Sequence, residues 1–218
     1  MSLEAVFSEL GIISGVSCVS GEPMARHTSF RIGGPADLFV TCDTVPALAG
    51  ALDALAANGI PFTVIGKGTN LVVADAGYRG AIVVLGKEFK RHVREGEHVR
   101  AGAACILAYV VQDAFSRGLG GMEFAVGVPG TLGGALAMNA GSRESWIGQV
   151  AESVTLFVPG QGLVRLRGDE IDWGYRRSGL PARGIIVEGE LRLTPSDPTR
   201  IRAEMERGLT RRKQSQPL

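Results

Sequence analysis

Two glycine clusters are the places in this 218-residue chain whose residue types and spacing fit ligand chemistry. The longer one, GGMEFAVGVPGTLGGALAMNAG over residues 120–141, is almost uncharged. Glycine loses more backbone freedom on folding than any other residue and packs nothing, so such a stretch makes a poor core element. Its use is close approach, because a backbone N–H can touch a ligand where a Cβ would collide. Gly127, Gly130 and Gly133 ahead of a short apolar run predict a loop feeding a helix start, a geometry that suits a phosphate or a flat cofactor. The shorter cluster, Gly66-Lys67-Gly68-Thr69-Asn70, lies between two segments with strand character, 61–65 and 71–73. Strand, G-x-G-T-N, strand reads either as a turn with amides aimed at an anion or as a plain glycine-rich hairpin turn. It is not a Walker loop: Gly68 stands in the Ser/Thr place, the upstream glycine is missing, and a strand pattern follows instead of a helix. Nor does any G-x-G-x-x-G open a helix as a dinucleotide fingerprint would.

Regular elements must position these loops. Residues 3–13 predict a short amphipathic helix, and 36–41 a strand. Val45, Leu48, Ala49, Leu52, Leu55 and Ala56 repeat at helical spacing up to Asn58-Gly59. Strands are predicted at 62–65, 71–73 and 81–85. A second lobe begins with short strands within 90–101. Ile106, Leu107, Val110, Val111 and Ala114 then line one face of a helix ending at Gly118. Their apolar stripe reads as core, not as a cofactor box. Residues 150–158, 162–167 and 185–193 read as strands from their β-branched content and Gly/Pro borders. A last helix starts at Asp197-Pro198 and runs to Lys213, with proline in its first turn. The expected organisation is two lobes, 1–86 and 87–218, with no internal repeat.

Composition narrows the function classes. Apolar residues make up 45% and charged residues 21%, ordinary for a globular protein, while 31 glycines are about twice the usual ~7%. A net charge of +1 sets up no strong field for nucleic acid or an anionic membrane. Arg207, Arg211, Arg212 and Lys213 read as the basic end of a helix complementing its dipole. Cys18, Cys42 and Cys105 are few, odd in number and far apart, which argues for reduced thiols and a cytoplasmic protein. His27, His92 and His98 are too scattered to signal a zinc site or a Ser-His-Asp triad, so no metal is expected. His92 and His98 flank the polar R-E-G-E and read as solvated. No secretion signal and no apolar run of membrane-spanning length is visible.

Five motifs stand in order: T-S-F-x-I-G-G-x-A-D over 28–37, G-x-G-T-N-L over 66–71, E-F-A-x-G-V-P-G-T-x-G-G-A over 123–135, M-N-A-G over 138–141, and Y-R-x-S over 175–178. In that order and spacing the chain resembles the UDP-N-acetylenolpyruvoylglucosamine reductase family, of the shorter, second type, from about residue 21 to its end. The resemblance implies an α+β fold, the two-lobed FAD-binding fold of the para-cresol methylhydroxylase (vanillyl-alcohol oxidase) type. It implies FAD held by Gly66, Lys67, Gly68, Thr69, Asn70 and Leu71 and by Gly127, Val128, Pro129, Gly130, Thr131, Gly133, Gly134, Ala135, Asn139 and Gly141. The flavin pyrophosphate would lie between the two clusters. NADPH is the implied reductant and enolpyruvyl-UDP-N-acetylglucosamine the implied substrate, in a cytoplasmic step of peptidoglycan synthesis.

The same resemblance assigns roles to side chains. Arg176 would stabilise the enolate-like carboxylate that hydride addition creates, for which a planar guanidinium is suited, and Tyr175 would contact substrate. Read without the family, Arg176 is a surface arginine closing a strand, with Arg177 its solvated neighbour. Asn70 reads as an Asx-turn residue, as a contact to pyrophosphate or substrate, or as both, and Asn139 carries the same ambiguity. Glu123 reads as a brace on loop amides before it reads as an acid or base. Members of the family continue beyond an arginine-rich stretch ending in Gln-Pro into a substrate domain. That domain bears a proton-donating serine and a late glutamate, whereas this sequence reaches Pro217 and Leu218. Ser215 is not that serine. The expectation is therefore a chain holding the FAD-binding part and one of three catalytic residues. The alternative is a flavin-binding module without turnover.

Overall fold

A computed structural model describes residues 3–215 of the chain, so the Gln-Pro end of the arginine-rich stretch lies outside the described residues. The polypeptide divides into two units. The first comprises the residues up to Phe89 together with Phe157–Gly162, and the second comprises Lys90–Leu156 and the residues from Leu163 onward.

In the first unit, α1 (Leu3–Gly11) buries Val6 and Leu10. β1 (Val16–Pro23) follows and pairs antiparallel with β2 (Pro35–Cys42), from Val16↔Cys42 to Pro23↔Pro35. β1 escaped the sequence reading because only three of its eight residues are even partly shielded, so no apolar alternation marks it. α2 (Val45–Ala57) starts where Thr44 Oγ1 accepts the Ala47 amide at 3.2 Å, with proline in its first turn. Its buried face is Ala47, Leu48, Ala51, Leu52, Ala54 and Leu55. It ends at Asn58-Gly59, where Gly59 takes φ +63°. β3 (Phe62–Ile65) and β4 (Tyr78–Leu85) complete a sheet of order β1-β2-β4-β3, in which β2 and β3 both run parallel to β4.

That direction overturns the hairpin reading of G-x-G-T-N. A tight turn joins antiparallel strands, and β3 and β4 are parallel. Residues 66–77 are instead an irregular crossover, and 71–73 form no strand. Leu71 and Val73 pack on the core of Met24, Ala36, Phe39 and Ile82 while Val72 stays exposed. The alternation is real, but the segment lies against the Gly33-Gly34 backbone, where Gly34 donates to Ala74, and not beside a free strand edge.

In the second unit, β5 (His92–Glu95) and β6 (His98–Gly102) form a hairpin. α3 (Leu107–Ser116) buries Leu107, Val110, Val111 and Ala114, as its periodicity required. After β7 (Leu119–Gly120) come α4 (Leu132–Ala137), β8 (Ala151–Val158), β9 (Gly162–Arg167), β10 (Trp173–Gly174), β11 (Arg177–Ser178), β12 (Ile185–Arg192) and β13 (Thr194–Pro195). The main sheet has the order β5-β6-β12-β8-β9, with β10-β11 and β13-β7 as small antiparallel pairs. α5 (Pro198–Ser215) begins at Asp197, whose Oδ1 accepts the Thr199 amide at 2.7 Å. That bond holds the Asp197 carboxyl below its ordinary range. Among the described residues no helix is long and apolar enough to cross a membrane.

Candidate functional site

The crossover loop of the first unit borders a cleft of ≈260 Å³ lined by Arg26, His27, Thr28, Ser29, Ile65, Gly66, Lys67 and Val84. Sequence logic builds its far wall locally. Thr28 Oγ1 donates to the Ile32 carbonyl at 2.8 Å and the Arg31 amide donates to the Thr28 carbonyl, closing a turn in which Arg31 takes φ +54°. Phe30 and Ile32 are thereby left 63% and 50% exposed. His27 stacks on Phe39 with ring centroids 4.0 Å apart, and its Nε2 lies 2.9 Å from Glu22 Oε1. This hydrogen bond, with the charge of Arg26 adding to it, lowers the Glu22 carboxyl below its ordinary range.

Gly68 sits at φ +60°, and a Cβ there would fall 1.9 Å from the His27 carbonyl oxygen. The reason for glycine is thus contact with the 27–28 backbone, sealed by the Ser29 amide donating to Gly68 at 3.2 Å. None of the hydrogen bonds among the described residues is donated by the amides of Gly66, Lys67 or Gly68. Consecutive undonated amides ending in a left-handed residue, with the cations of Lys67 and Arg26 on the same cleft, make a cradle for an anionic group such as a diphosphate.

The glycine-rich segment of the second unit behaves differently. Thr131 caps α4 by accepting the Gly134 amide at 3.2 Å; the Leu132 and Gly133 amides donate to the Cys105 and Ala103 carbonyls at 2.9 Å each. The helix start that the sequence suggested for a phosphate therefore spends its amides on the protein. Gly133 is glycine because a Cβ would come within 2.7 Å of Ala103 Cβ. Gly127 takes φ +71° under Leu209 and Arg212 of α5, and Arg212 donates to the Phe124 carbonyl at 3.1 Å. Desolvation there lowers the Arg212 pKa from its ordinary value. The amides of Gly127, Gly130 and Thr131 donate none of the hydrogen bonds among the described residues. Glu123 is the loop brace the sequence suggested: its Oε2 accepts the Gly121 amide at 2.8 Å.

Tyr175 and Arg176 occupy the two-residue tip between β10 and β11, closed by the pairs Trp173↔Ser178 and Gly174↔Arg177. Arg176 takes φ +58°, a conformation that costs a side-chain-bearing residue ~1–2 kcal/mol. Strain of this kind persists only where surroundings over-determine it, and it gathers at functional positions. Tyr175 is 73% exposed, with the Arg143 guanidinium 5.9 Å above its ring. Arg177 pairs with Asp172 at 3.0 Å at the surface, the solvated neighbour expected of it. Ser178 Oγ donates to the Ala137 carbonyl at 3.0 Å, and Trp173 Nε1 to the Gly168 carbonyl at 2.9 Å. Asn139 is buried at φ +43°; its Nδ2 donates to the Gly174 carbonyl at 2.9 Å and its Oδ1 accepts the Gly148 amide at 3.1 Å.

Sequence reasoning missed Arg143 and the cleft side chains Arg26 and Ser29, because only the fold brings them beside the motifs. It also misjudged the histidines. His98 Nδ1 lies 2.6 Å from Glu152 Oε2 and 3.7 Å from Glu190 Oε1 on neighbouring strands. His92 packs on Asp113 of α3, where burial pushes its pKa down. The His98, Glu152 and Glu190 ligand atoms lie within 4.8 Å of one another, but Arg165 and Ser153 already engage Glu190 there.

An anion cradle on the irregular crossover between two parallel strands, followed by a second α+β unit, defines the class: residues 36–165 match the FAD binding domain family. The fold is the two-lobed FAD-binding fold of the vanillyl-alcohol oxidase type, shared with 6-hydroxy-D-nicotine oxidase from Arthrobacter nicotinovorans (TM-score 0.66, 21% identity, 84% of this chain and 43% of that one). Within that class the chain belongs to the UDP-N-acetylenolpyruvoylglucosamine reductase family. The Heliobacterium modesticaldum reductase is 39% identical over 198 residues, 90% of this chain. The reductase (MurB) structure from Thermus caldophilus superposes with TM-score 0.80 at 32% identity, over 93% of this chain and 71% of that one. The chain spans 63% of the length of the Heliobacterium relative.

Proposed function

We propose that this chain binds FAD and serves the NADPH-dependent reduction of enolpyruvyl-UDP-N-acetylglucosamine to UDP-N-acetylmuramate, a step of peptidoglycan synthesis. The observation that carries the reading is the Gly66-Lys67-Gly68 cradle, whose undonated amides and neighbouring cations match a dinucleotide diphosphate. Bound flavin would supply a hydride relay from NADPH to the enolpyruvyl double bond. The chain's own residues do the rest. Amides 66–68 hold the diphosphate, and Thr69, Asn70 and Leu71 continue that loop. In the second unit the amides of Gly127, Gly130 and Thr131, which are among those of the glycine-rich segment that donate none of the hydrogen bonds among the described residues, are assigned to the ligand.

Hydride addition to the enolpyruvyl group puts new negative charge on the carboxylate-bearing fragment, which a proton then quenches. Arg176, at the hairpin tip, is the guanidinium assigned to that charge; it stabilises the transition state more than the ground state, because the charge is new. Tyr175 offers its exposed ring and hydroxyl to the substrate.

Stopped-flow absorbance of the FAD-loaded protein tests the reading in two halves. Bleaching by NADPH is expected to be unchanged in Arg176→Ala, while reoxidation by the enolpyruvyl substrate slows by about 10²–10³-fold. Equal effects on both halves, or on neither, would remove Arg176 from the chemistry. A protein that bleaches but is never reoxidised by the substrate would be a flavin-binding module without turnover, and one that rejects FAD would overturn the reading entirely.

A further inference from the structure

The hairpin that carries Tyr175 and Arg176 is too small to hold itself. It has two residue pairs, and an isolated two-stranded ribbon is marginal even when much longer. Its tip also contains a side-chain-bearing residue in the left-handed region. Something outside the hairpin must impose that shape; besides the bond from Trp173 Nε1 to the Gly168 carbonyl, two grips come from the C-terminal end of α4. The Ala137 carbonyl takes Ser178 Oγ on the returning strand, and Asn139 Nδ2 takes the Gly174 carbonyl on the outgoing strand. The Gly174 carbonyl belongs to the peptide that leads directly into Tyr175. Asn139 is itself fixed, because its Oδ1 accepts the Gly148 amide and its side chain is buried. Gly148 in turn lies against the Trp173 ring, where a Cβ would fall 2.6 Å from Cδ2. Acceptor and donor of one primary amide thus tie two loops to the base of the strained tip.

We propose that Asn139 is a positioning residue for Arg176: its amide sets the Gly174 peptide, and through it the direction in which the Arg176 guanidinium meets the substrate carboxylate. This rests on the reading that Arg176 acts on that carboxylate. It replaces a direct flavin contact as the reason for asparagine in M-N-A-G, since the amide is turned inward with its acceptor and one donor used. Asparagine is the fitting residue because the two partners are of opposite kind, a carbonyl and an N–H. Aspartate keeps the bond from Gly148 but sets a second oxygen against the Gly174 carbonyl; alanine loses both bonds.

The test uses Asn139→Asp and Asn139→Ala in the FAD-loaded chain, alone and combined with Arg176→Ala. Amide hydrogen exchange is read first and needs no turnover. Both variants are expected to lose protection over 174–178 while 66–71 keeps that of the parent. Reoxidation of the NADPH-reduced protein by enolpyruvyl-UDP-N-acetylglucosamine is read second. A misplacement of the order of 1 Å costs about 10²-fold, so each single variant is expected to slow this step about 10–100-fold and to leave bleaching by NADPH unchanged. In the Arg176→Ala background the Asn139 substitutions are expected to add nothing, because the residue acts through Arg176. Asn139→Asp carries an internal control. Its slowing is expected to ease as pH falls and the acid regains a donor for Gly174, which also separates misplacement from misfolding if Asn139→Ala does not fold. Unchanged protection over 174–178, or multiplicative slowing in the double variants, would overturn the proposal. If Arg176→Ala itself leaves reoxidation untouched while 174–178 loses protection in the Asn139 variants, the reading of Arg176 fails and the positioning of the hairpin stands.

Discussion

Gly59 and Gly68 make a matched pair for testing why the crossover loop needs glycine. Both take a left-handed backbone, at φ +63° and +60°. A Cβ at Gly59 would meet nothing within 4 Å, whereas at Gly68 it would fall 1.9 Å from the His27 carbonyl oxygen and 3.2 Å from Thr28 Cα. Gly59→Ala therefore carries the conformational cost alone, about 1–2 kcal/mol. Gly68→Ala carries that cost plus an overlap with backbone that cannot rotate away, a further ~1–3 kcal/mol by analogy with overpacked interiors. For a chain of this size about 1 kcal/mol moves Tm by about 2–4 °C. Gly59→Ala should then lower Tm by about 2–8 °C, and Gly68→Ala by about 2–12 °C more. The overlap also pushes the loop off the 27–29 backbone, breaking the bond from the Ser29 amide and turning amides 66–68 away from the cleft. Thermal melts of the apo chain and FAD titrations followed by flavin fluorescence read the two effects. Gly59→Ala should keep the parent affinity for FAD and Gly68→Ala should weaken it severely. Equal melts for the two variants, or parent-like FAD binding by Gly68→Ala, would refute the reasoning that this glycine is demanded by close approach to His27.

Three further outcomes follow from the same geometry. Glu123→Ala leaves the Gly121 amide without its carboxylate and should cost about 1–3 kcal/mol in denaturant unfolding, with Glu123→Gln milder because its side-chain oxygen still accepts. His92 is depressed below its ordinary 6.5, first by burial and then by the charges of Arg94 and Arg117, with Asp113 opposing. The unfolded chain binds that proton more readily, so the His92 contribution is complete above about pH 6.5 and fades as pH falls below it; a stability–pH curve should be flatter in His92→Gln, and an identical slope would refute this. Burial, with Asp43 and Cys18 adding, pushes the Cys42 thiol up to about 12. Iodoacetamide at pH 8 should therefore label it on the order of 10³-fold more slowly in the native than in the unfolded protein, and equal rates would show the thiol to be accessible.

What the residues alone determined was local. Helical spacing set α2 and α3 to within a residue or two, because their apolar faces need no knowledge of what covers them. The five motifs determined the family, since their order survives whatever the fold does with them. The roles of individual glycines were not local. Gly68 and Gly133 read as open backbone for a ligand, yet each faces another backbone segment distant in sequence, His27 and Ala103. Whether G-x-G-T-N is a hairpin turn depended on the direction of β4, which a strand's own sequence does not encode. The same holds for the hairpin. Y-R-x-S named the residues at the tip, but the left-handed Arg176 and the Asn139 amide that holds its base come together only because the end of α4 packs against β11. Periodicity and motif are written along the chain, whereas strand direction, close approach and the pairing of a buried amide with its two partners are relations between segments. Those relations exist only once the segments have been brought together.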